Sequence, residues 1–527
     1  MIVVSENRAW RESQLLNQCD GVGMGHMLLR RARMNPAAPA LSFEGTTLTY
    51  GELERNIVSL ARGLLDRGVQ PGDRIGYLGM NDPKFLEMLY ASALIGAIIV
   101  PLNYRLTPQE IEFIVSDAGL TLLFADEPSA SLLERGRENL QCDCLIGVNF
   151  ESELWQPWNS LLPEPGTTTD AKDVSYPVTA TDVVLIMYTS GTTGRPKGAQ
   201  LTHGNIFWNL LNAKFMDETM RGTTLTCAPL FHIGGLNVTT HPSLVSGVQV
   251  VLHREFNAPN ILDDIQRYQV STMFGAPTMF DMMMREAGFI GADFSSVLAF
   301  NCGAAPVPLP LIEAYAKKGV SFCQGYGLTE TSPYVSVLST ADARRKKGSA
   351  GMPLMFTQVK IVNAGGELAP ASERGEILVR GPNVTPGYWQ LPDATRDAFD
   401  EFGWFRTGDI GYLDGEGYLF ICDRKKDMVI TGGENVYPAE VESELVAHPD
   451  IAEVAVVGLP DDKWGEKVAA VITLSSDREP SLEDLDQFLA DRLARYKRPR
   501  ALYVLDHLPR NPAGKVQKFA LRDMLTS

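Results

Sequence analysis

Apolar residues in the first quarter of the chain form short continuous runs that alternate with longer amphipathic segments. The runs at 73–79, 98–103 and 121–125 are rich in aliphatic and aromatic residues, which is typical of strands covered on both faces. Between them, Asp82-Pro83 supplies an N-cap and a first-turn proline, and Thr107-Pro108-Gln109-Glu110 forms a capping box. The alternation predicts parallel strands joined by crossover helices, a topology that binds ligands at the carboxyl ends of its strands.

A later apolar run, DVVLIMY at 182–188, leads directly into a segment rich in glycine and hydroxyl groups, TSGTTGRPKG at 189–198. Its glycines permit positive φ and close backbone approach, so several amides and hydroxyls can point at one anion, with a lysine adding charge. The spacing is not that of a Walker loop. The segment therefore predicts a phosphate-binding loop at the end of a strand. Its candidate ligand-binding residues are Thr189, Ser190, Gly191, Thr192, Thr193, Gly194 and Lys197.

The second half of the chain has a different pattern of apolar and polar residues. Short β-like runs divided by glycine and proline predict a small, mainly antiparallel β subdomain at about 348–422. Beyond the charged cluster at 423–427, the pattern predicts a small α+β domain that includes a helix capped by Ser481 and running to about Arg495. We therefore expect an α/β protein with a large N-terminal domain of doubly wound, mostly parallel sheets (1–424) and a small C-terminal α+β domain.

Composition and charge narrow the possible classes of protein. The 527 residues exceed the roughly 250–300 that one core holds, and 45% hydrophobic with 21% charged residues is ordinary for globular proteins. The net charge of −17 argues against nucleic acid or an anionic membrane as partner, so a bound anion needs a local positive field. Seven scattered cysteines, with no apparent signal peptide or apolar run of membrane-spanning length, predict a cytoplasmic protein without a membrane span.

Four further blocks follow the phosphate loop. They are QGYGLTET (324–331), GWFRTGDIG (403–411), DRKKDMVITGGENVYPAEVE (423–442) and LPRNPAGKVQK (508–518). In this order and over most of the chain, the five blocks resemble the signature of the adenylate-forming superfamily, which contains acyl-CoA synthetases, aryl-CoA ligases, nonribosomal adenylation domains and firefly luciferase. The resemblance implies that a carboxylate attacks the α-phosphate of ATP, with Mg²⁺ present, and that the thiol of CoA then displaces AMP.

The resemblance also implies roles for individual residues. Lys515 would bridge the carboxylate and the α-phosphate, Glu330 would hold Mg²⁺ with Thr189 near it, and the loop would grip the β and γ phosphates. Asp409 would accept hydrogen bonds from the ribose, and Arg424 would lie near the ribose and phosphate. Further nucleotide contacts implied by the resemblance are Gly303, Ala304, Ala305, Gln324, Gly325, Tyr326, Gly327 and Thr329.

The segment APLFHIGGLNV (228–238) is expected to carry the acid pocket. The two glycines after His232 predict a wide or deep cavity, which favours a medium- or long-chain fatty or other bulky aliphatic acid. The alternative is a hydroxycinnamate or benzoate, as in feruloyl- or benzoyl-type ligases. The expected lining residues are Phe231, His232, Gly234, Gly235, Asn237, Cys302, Gly327, Pro333 and Tyr334.

Other members of the superfamily fit less well. An amino-acid adenylation enzyme would need an aspartate for the substrate ammonium group, and none stands among the expected lining residues. A luciferase-like oxygenase lacks a positive indication, since the chain ends in MLTS without a peroxisomal tripeptide. A non-catalytic adenylate-binding protein would be expected to lack Lys515 or Glu330, and both are present.

The second half-reaction is assigned to the C-terminal domain (425–527). By resemblance, this domain rotates about a hinge at Lys426, and the glycines after it leave room for a thin pantetheine arm. The residues expected along the CoA channel are Gly432, Gly433, Glu434, Lys463 and Trp464. The expected partners are small molecules only, namely the acid, ATP and CoA, and the sequence leaves open a monomer or a homodimer.

Overall fold

The structure is a computed structural model of the chain. It describes residues 22–134, 140–142, 144–164, 167, 169–189, 196–215, 221–303, 307–363, 365–424, 427–431, 434–476, 478–490, 492–510 and 516–526.

The strands of the described residues are numbered along the chain. They are β1 (Pro39–Phe43), β2 (Thr46–Thr49), β3 (Arg74–Leu78), β4 (Ile98–Leu102), β5 (Leu120–Asp126), β6 (Leu145–Val148), β7 (Gln156–Pro157), β8 (Val183–Thr189), β9 (Lys197–Thr202), β10 (Thr223–Thr226), β11 (Gln249–Leu252), β12 (Val270–Gly275), β13 (Phe300–Cys302), β14 (Phe322–Gly327), β15 (Tyr334–Leu338), β16 (Met352–Pro353), β17 (Gln358–Val362), β18 (Gly375–Arg380), β19 (Phe405–Leu413), β20 (Leu419–Arg424), β21 (Val429–Thr431), β22 (Glu434–Val436), β23 (Ile451–Asp461), β24 (Gly465–Leu474) and β25 (Ala501–Val504).

The α-helices are numbered in the same way. They are α1 (Met24–Met34), α2 (Tyr50–Asp66), α3 (Pro83–Leu94), α4 (Pro108–Ala118), α5 (Glu127–Glu134), α6 (Ala171–Val174), α7 (His203–Phe215), α8 (His241–Ser246), α9 (Ala258–Arg267), α10 (Pro277–Arg285), α11 (Leu309–Ala316), α12 (Pro392–Asp397), α13 (Pro438–Leu445), α14 (Leu482–Phe488) and α15 (Lys518–Thr526).

The predicted alternation of strands and helices forms a seven-stranded sheet within the described residues, in the order β7-β6-β5-β3-β4-β8-β9. The neighbours from β7 to β8 pair in parallel, and β9 pairs antiparallel with β8 at the edge. Both predicted caps are present, since the Asp82 side chain accepts from the Lys84 amide and Thr107 forms a capping box with Glu110. The predicted runs at 73–79, 98–103, 121–125 and 182–188 correspond to β3, β4, β5 and β8 to within one residue at each end, whereas β6, β7 and β9 were not predicted.

A second sheet of the described residues has nine strands, in the order β16-β15-β14-β13-β12-β10-β11-β1-β2. Its central strands from β14 to β1 pair in parallel, so the carboxyl ends of β13 and β14 lie at the same edge. Aromatic side chains such as Phe280, Phe300 and Tyr315 pack in the core on one side. This edge presents Gly303 and the turn that carries Glu330.

The chain divides into two compact units. The first contains the described residues up to Gln358 together with Val379–Phe405, and the second contains Val359–Leu378 and the described residues from Arg406 onward. The second unit carries most residues of the sheet β17-β18-β19-β20, together with a five-stranded sheet of β21–β25. This packing division differs from the sequence-based boundary at 424/425, which concerns a hinge and stays a prediction.

The helix expected to run from Ser481 to about Arg495 is shorter than predicted. Ser481 forms the capping box with Asp484, but α14 ends at Phe488. Beyond it, the amides of Ala490 and Arg492 donate to carbonyls three residues back and the Leu493 amide donates four residues back, so regular α-helical bonding is interrupted after Phe488. Among the described residues, no helix is long and apolar enough to cross a membrane.

Candidate active site

The two ends of the phosphate loop are fixed by a hairpin. Thr189 is the last residue of β8 and Lys197 the first of β9, and they lie opposite each other in the antiparallel register. The Thr189 hydroxyl also donates to the Lys197 carbonyl at 3.4 Å. The other predicted loop ligands, Ser190, Gly191, Thr192, Thr193 and Gly194, lie outside the described residues. The hairpin thus places both ends of the loop at one edge of the seven-stranded sheet.

The candidate metal ligand Glu330 lies in a short 3₁₀ turn (Thr329–Thr331) just after β14, and it is 8% exposed. The Tyr388 hydroxyl donates to Glu330 Oε1 at 2.9 Å, and Lys197 Nζ lies 5.3 Å from the centroid of the same tyrosine ring. Burial and the neighbouring carboxylate both raise the pKa of Tyr388, so the phenol keeps its proton and acts as the donor. One ring therefore joins the candidate phosphate lysine to the candidate metal carboxylate.

The backbone around Tyr388 explains how residues from two sheets meet. The Trp389 amide donates to the Gly198 carbonyl at 2.7 Å, so this segment pairs with β9 of the seven-stranded sheet. The Thr385 amide donates to the Glu330 carbonyl at 2.7 Å, which ties the same segment to the turn beside the nine-stranded sheet. Sequence reasoning missed Tyr388 because its partners are about 60 and 190 positions away and no local pattern marks it.

The candidate nucleotide wall lies at the carboxyl ends of β13 and β14. These strands pair in parallel with Cys302 opposite Gln324, which sets Gly303 beside Gly325. A Cβ at Gly303 would lie 3.2 Å from the Gly325 carbonyl oxygen, and one at Gly327 would overlap the Pro333 carbonyl oxygen. Backbone approaches of this kind require glycine. Tyr326 and Thr329 are half-buried at the same edge, whereas Ala304 and Ala305 lie outside the described residues.

His232 is a neutral histidine in the candidate acid pocket. Its ring lies 4.4 Å from that of Phe231, and burial, aided by the positive charge of Arg105, lowers the pKa of His232 to about 4. Its Nε2 atom is buried and has no hydrogen-bond partner among the described residues. A buried, unpaired ring nitrogen of this kind suits hydrogen bonding to a ligand.

The glycines after His232 do not widen the pocket, and that expectation is wrong. A Cβ at Gly234 would lie 2.8 Å from Cε1 of Phe274, and a Cβ at Gly235 would overlap the Pro229 carbonyl oxygen. The space that a side chain would fill is therefore occupied by an aromatic ring at one position and by backbone at the other. Phe274, on β12, is therefore a further candidate for the pocket wall, and sequence reasoning did not single it out.

The remaining acid-pocket candidates are held by a network of buried amides. Asn237 is fully buried, and its Nδ2 donates to the Ser332 carbonyl at 3.2 Å. Asn209 Nδ2 donates to the Asn237 carbonyl at 3.0 Å, and Asn209 Oδ1 accepts from the Tyr334 amide. Burial raises the pKa of the Cys302 thiol, so it is not a reactive thiolate. The network fixes the segment from Pro333 to Tyr334 against the helical segment that carries Asn237.

Asp409 and Arg424 lie in the second unit. Asp409 is 5% exposed on β19, its amide donates to the Thr407 hydroxyl at 3.0 Å, and its register partner on β20 is Arg424. The two predicted ribose-side residues therefore occupy facing positions on neighbouring strands. Lys515 and the hinge residue Lys426 lie outside the described residues.

The candidate CoA residues meet at one end of the five-stranded sheet. Thr431 pairs with Glu434 on one side and with Gly465 on the other, which brings the Lys463–Trp464 turn next to the start of β22. Lys463 Nζ lies 4.9 Å from the Trp464 ring, and the Arg500 guanidinium lies 4.2 Å from it. Gly432 and Gly433 lie outside the described residues.

The donor set suits magnesium bound together with a nucleotide. Mg²⁺ takes oxygen ligands, keeps several waters and is commonly held by one or two carboxylates plus substrate phosphates. The described residues contain no group of three or more metal-ligating side chains, so a fully protein-built metal cage is absent from them. The buried Glu330 carboxylate beside the ends of a phosphate loop fits an ion that phosphates complete.

Comparison with known proteins identifies the family. Residues 28–389 match the AMP-binding enzyme family, and residues 440–515 match the AMP-binding enzyme C-terminal domain. The chain is 42% identical over 504 residues to a feruloyl-CoA synthase of Amycolatopsis sp, with 95% of this chain and 98% of that protein covered. It is 39% identical to the indoleacetate-CoA ligase of Aromatoleum aromaticum (94% and 97% covered) and 37% identical to a long-chain-fatty-acid-CoA ligase of Mycobacterium tuberculosis (96% and 99% covered).

Among solved structures, o-succinylbenzoate CoA synthetase from Bacillus subtilis in complex with ATP and a magnesium ion superposes with a TM-score of 0.80, at 33% identity and with 95% of this chain and 99% of that one covered. The chain belongs to the AMP-binding enzyme family and is an AMP-forming acyl-CoA synthetase, with ATP and CoA as substrates. The resemblance drawn from the five sequence blocks is confirmed, and so is the α/β fold with a large N-terminal and a small C-terminal domain.

Proposed function

We propose that the acid activated by this synthetase is an aryl carboxylic acid of the hydroxycinnamate or arylacetate type. The main observation in support is the position of Phe274, whose Cε1 faces Gly234 and whose Cε2 faces Gly303. An aromatic ring thus lies between the candidate acid pocket and the candidate nucleotide wall. A planar aryl substrate would pack against the Phe274 ring there, and such ring pairs contribute about 0.5–1.5 kcal/mol beyond the energy expected from the area that they bury.

The relatives support this choice of acid over a fatty acid. Feruloyl-CoA synthase and indoleacetate-CoA ligase, at 42% and 39% identity, are named for aryl acids, and the fatty-acid ligase follows at 37%. Phe231, Phe274 and Tyr334 would give the proposed pocket aromatic walls, and Phe274 packs in the same cluster as Tyr334. The argument for a long aliphatic chain depended on open space at Gly234 and Gly235, and that space is filled.

In the proposed reaction, a carboxylate oxygen of the acid attacks the α-phosphorus of ATP and pyrophosphate leaves. Lys197 and the loop at 189–198 neutralise the β and γ phosphates, while Lys515 approaches the reacting carboxylate. Asp409 orients the ribose through its hydroxyl groups, and Glu330 holds Mg²⁺, which supplies further charge neutralisation to the phosphates. Catalysis in this step is mostly positioning and charge stabilisation, because two anions must meet.

In the second step, the CoA sulfur attacks the acyl carbonyl and AMP leaves. We assign the approach of CoA to the end of the C-terminal sheet where Glu434, Lys463 and Trp464 lie. We place the reaction in the cytoplasm, because its reducing conditions suit a protein whose six described cysteines form no disulfides with one another.

The test is release of pyrophosphate across a panel of acids, with and without CoA, and identification of the thioester by mass. The panel contains ferulate, 4-coumarate, indoleacetate, benzoate, fatty acids of four to sixteen carbons, and amino acids. We expect kcat/KM to be at least tenfold higher for an aryl acid than for any fatty acid. A preference for a long-chain fatty acid would refute the proposed acid and leave the CoA ligase reaction standing.

A further inference from the structure

Tyr388 is held from three directions by main-chain and side-chain hydrogen bonds. Its amide donates to the Thr395 hydroxyl at 2.9 Å. The carbonyl before it, of Gly387, accepts from the Gln200 amide at 3.0 Å, and the amide after it, of Trp389, donates to the Gly198 carbonyl at 2.7 Å. These bonds fix the backbone of Tyr388 against the edge of the seven-stranded sheet, and the ring itself is held through its hydroxyl, which donates to Glu330.

The side chain uses its edge and its face for different partners. The hydroxyl, at the edge, donates to Glu330 Oε1 at 2.9 Å. The ring face lies 5.3 Å from Lys197 Nζ, within the range of a cation–π contact. The ring thus contacts both the Glu330 carboxylate, from the turn after β14, and the Lys197 ammonium group, from β9.

Such an arrangement has a chemical use at a nucleotide site. A carboxylate that binds a metal needs a hydrogen-bond donor to fix its orientation, and loss of such an outer partner typically lowers metal affinity about 10- to 100-fold. A lysine on a flexible four-carbon stem needs a support to be aimed at a phosphate. A rigidly held tyrosine supplies both.

We propose that Tyr388 is a positioning residue for the adenylation step, which orients Glu330 toward the magnesium of MgATP and Lys197 toward the ATP phosphates. This inference rests on the role proposed above for Glu330 and extends it to a residue outside the five sequence blocks. Tyr388 does not itself touch the reacting atoms in this proposal, so its removal should act on metal and nucleotide binding and not on thioester formation.

The test compares Tyr388→Phe, which removes the hydroxyl and keeps the ring, with Tyr388→Leu, which removes both. Tyr188→Phe is the matched control, because the Tyr188 hydroxyl on β8 also donates to a carboxylate, that of Asp117 in α4, at 2.6 Å. Binding of Mn²⁺ to the enzyme with α,β-methylene-ATP is measured by electron paramagnetic resonance, and nucleotide affinity without metal by calorimetry. Thermal unfolding of each variant checks that the fold is kept.

We expect Tyr388→Phe to weaken Mn²⁺ binding about tenfold or more, and Tyr388→Leu to weaken metal-free nucleotide binding about two- to fivefold in addition. Thiolysis of a supplied acyl-adenylate by CoA should be unchanged in both. In a Glu330→Gln background, Tyr388→Phe should have no further effect on Mn²⁺, because the hydroxyl acts through that carboxylate.

Two kinds of result would overturn the proposal. If Tyr388→Phe binds Mn²⁺ as tightly as Tyr188→Phe does, or if its effect adds fully to that of Glu330→Gln, the tyrosine does not act through the carboxylate. If Glu330→Gln itself leaves Mn²⁺ affinity unchanged, the metal role of Glu330 is wrong and the inference falls with it. The first outcome leaves the proposed role of Glu330 intact, so the two failures are distinguishable.

Discussion

Adding a single methyl group at Gly234 should disturb the proposed acid pocket. In Gly234→Ala, the new Cβ would lie 2.8 Å from Cε1 and 3.0 Å from Cζ of Phe274. Carbon atoms pack best at about 3.5–4.0 Å, so the ring would have to withdraw by about 0.7–1.2 Å. The other edge of the ring lies near Gly303, where a Cβ would be 3.3 Å from Cε2, so the ring has little room to withdraw on that side.

The size of the effect follows from the cost of overpacking. Forcing an extra methyl group into a packed site costs about 1–3 kcal/mol. If the cost falls on the bound aryl acid, kcat/KM for that acid should drop about 5- to 150-fold, since each 1.4 kcal/mol is a factor of ten. Acetate and propionate, which do not reach the ring, should be affected less than twofold.

The assay is pyrophosphate release with ferulate and with propionate, each at saturating ATP. Gly291→Ala is the control, because a Cβ there meets nothing within 4 Å. The double variant Gly234→Ala/Phe274→Leu should regain most of the lost activity on ferulate, since the smaller side chain returns the space. Equal losses on both acids, or no recovery in the double variant, would refute the assignment of Phe274 and Gly234 to the acid pocket.

Three further predictions concern the half-reactions and stability. Lys515→Ala should abolish acid-dependent pyrophosphate release and spare thiolysis of a supplied acyl-adenylate; near-normal adenylation would contradict its role. Lys426→Pro should leave adenylation intact and suppress thioester formation, as measured by the two half-reaction assays, and equal losses in both would count against a hinge there. Burial lowers the pKa values of His203 and His241 to about 3, so the unfolded chain takes up protons below about pH 6.5 and the folded chain does not. The free energy of unfolding should therefore fall as pH drops below 6.5, by about 1.4 kcal/mol per pH unit for each histidine. In His241→Gln, the free energy of unfolding measured by urea denaturation at each pH should fall less steeply with decreasing pH.

The sequence predicted those parts of the fold that depend on local chemistry. The capping residues Asp82, Thr107 and Ser481 each begin a helix as expected, because a side-chain acceptor for an early amide is encoded within three positions. β8, which leads into the phosphate loop, follows from the continuous apolar run at 182–188. The end of α14 was missed because no glycine or proline marks it.

The missed site residues share a different property. Phe274 lies 40 positions from Gly234 and 29 from Gly303, and Tyr388 lies 58 from Glu330 and 191 from Lys197. These contacts form only when strands distant in sequence pair, and a single sequence does not specify which side chain fills the space above a glycine. The wide cavity inferred at Gly234 failed for this reason, because a missing side chain was taken for empty space.

The difference between locally encoded motifs and contacts distant in sequence bears on how the enzyme selects its acid. The five sequence blocks concern ATP and the transfer of the acyl group, which are common to relatives named for ferulate, indoleacetate and long-chain fatty acids. We therefore expect differences in acid choice to come mostly from residues outside those blocks that reach the same space. Phe274 meets that condition, because it lies outside the blocks and touches both Gly234 and Gly303. The pairing of a small residue at 234 with a ring at 274 is therefore the place where we expect specificity to change, and exchanging both residues together should alter the preferred acid more than exchanging either alone.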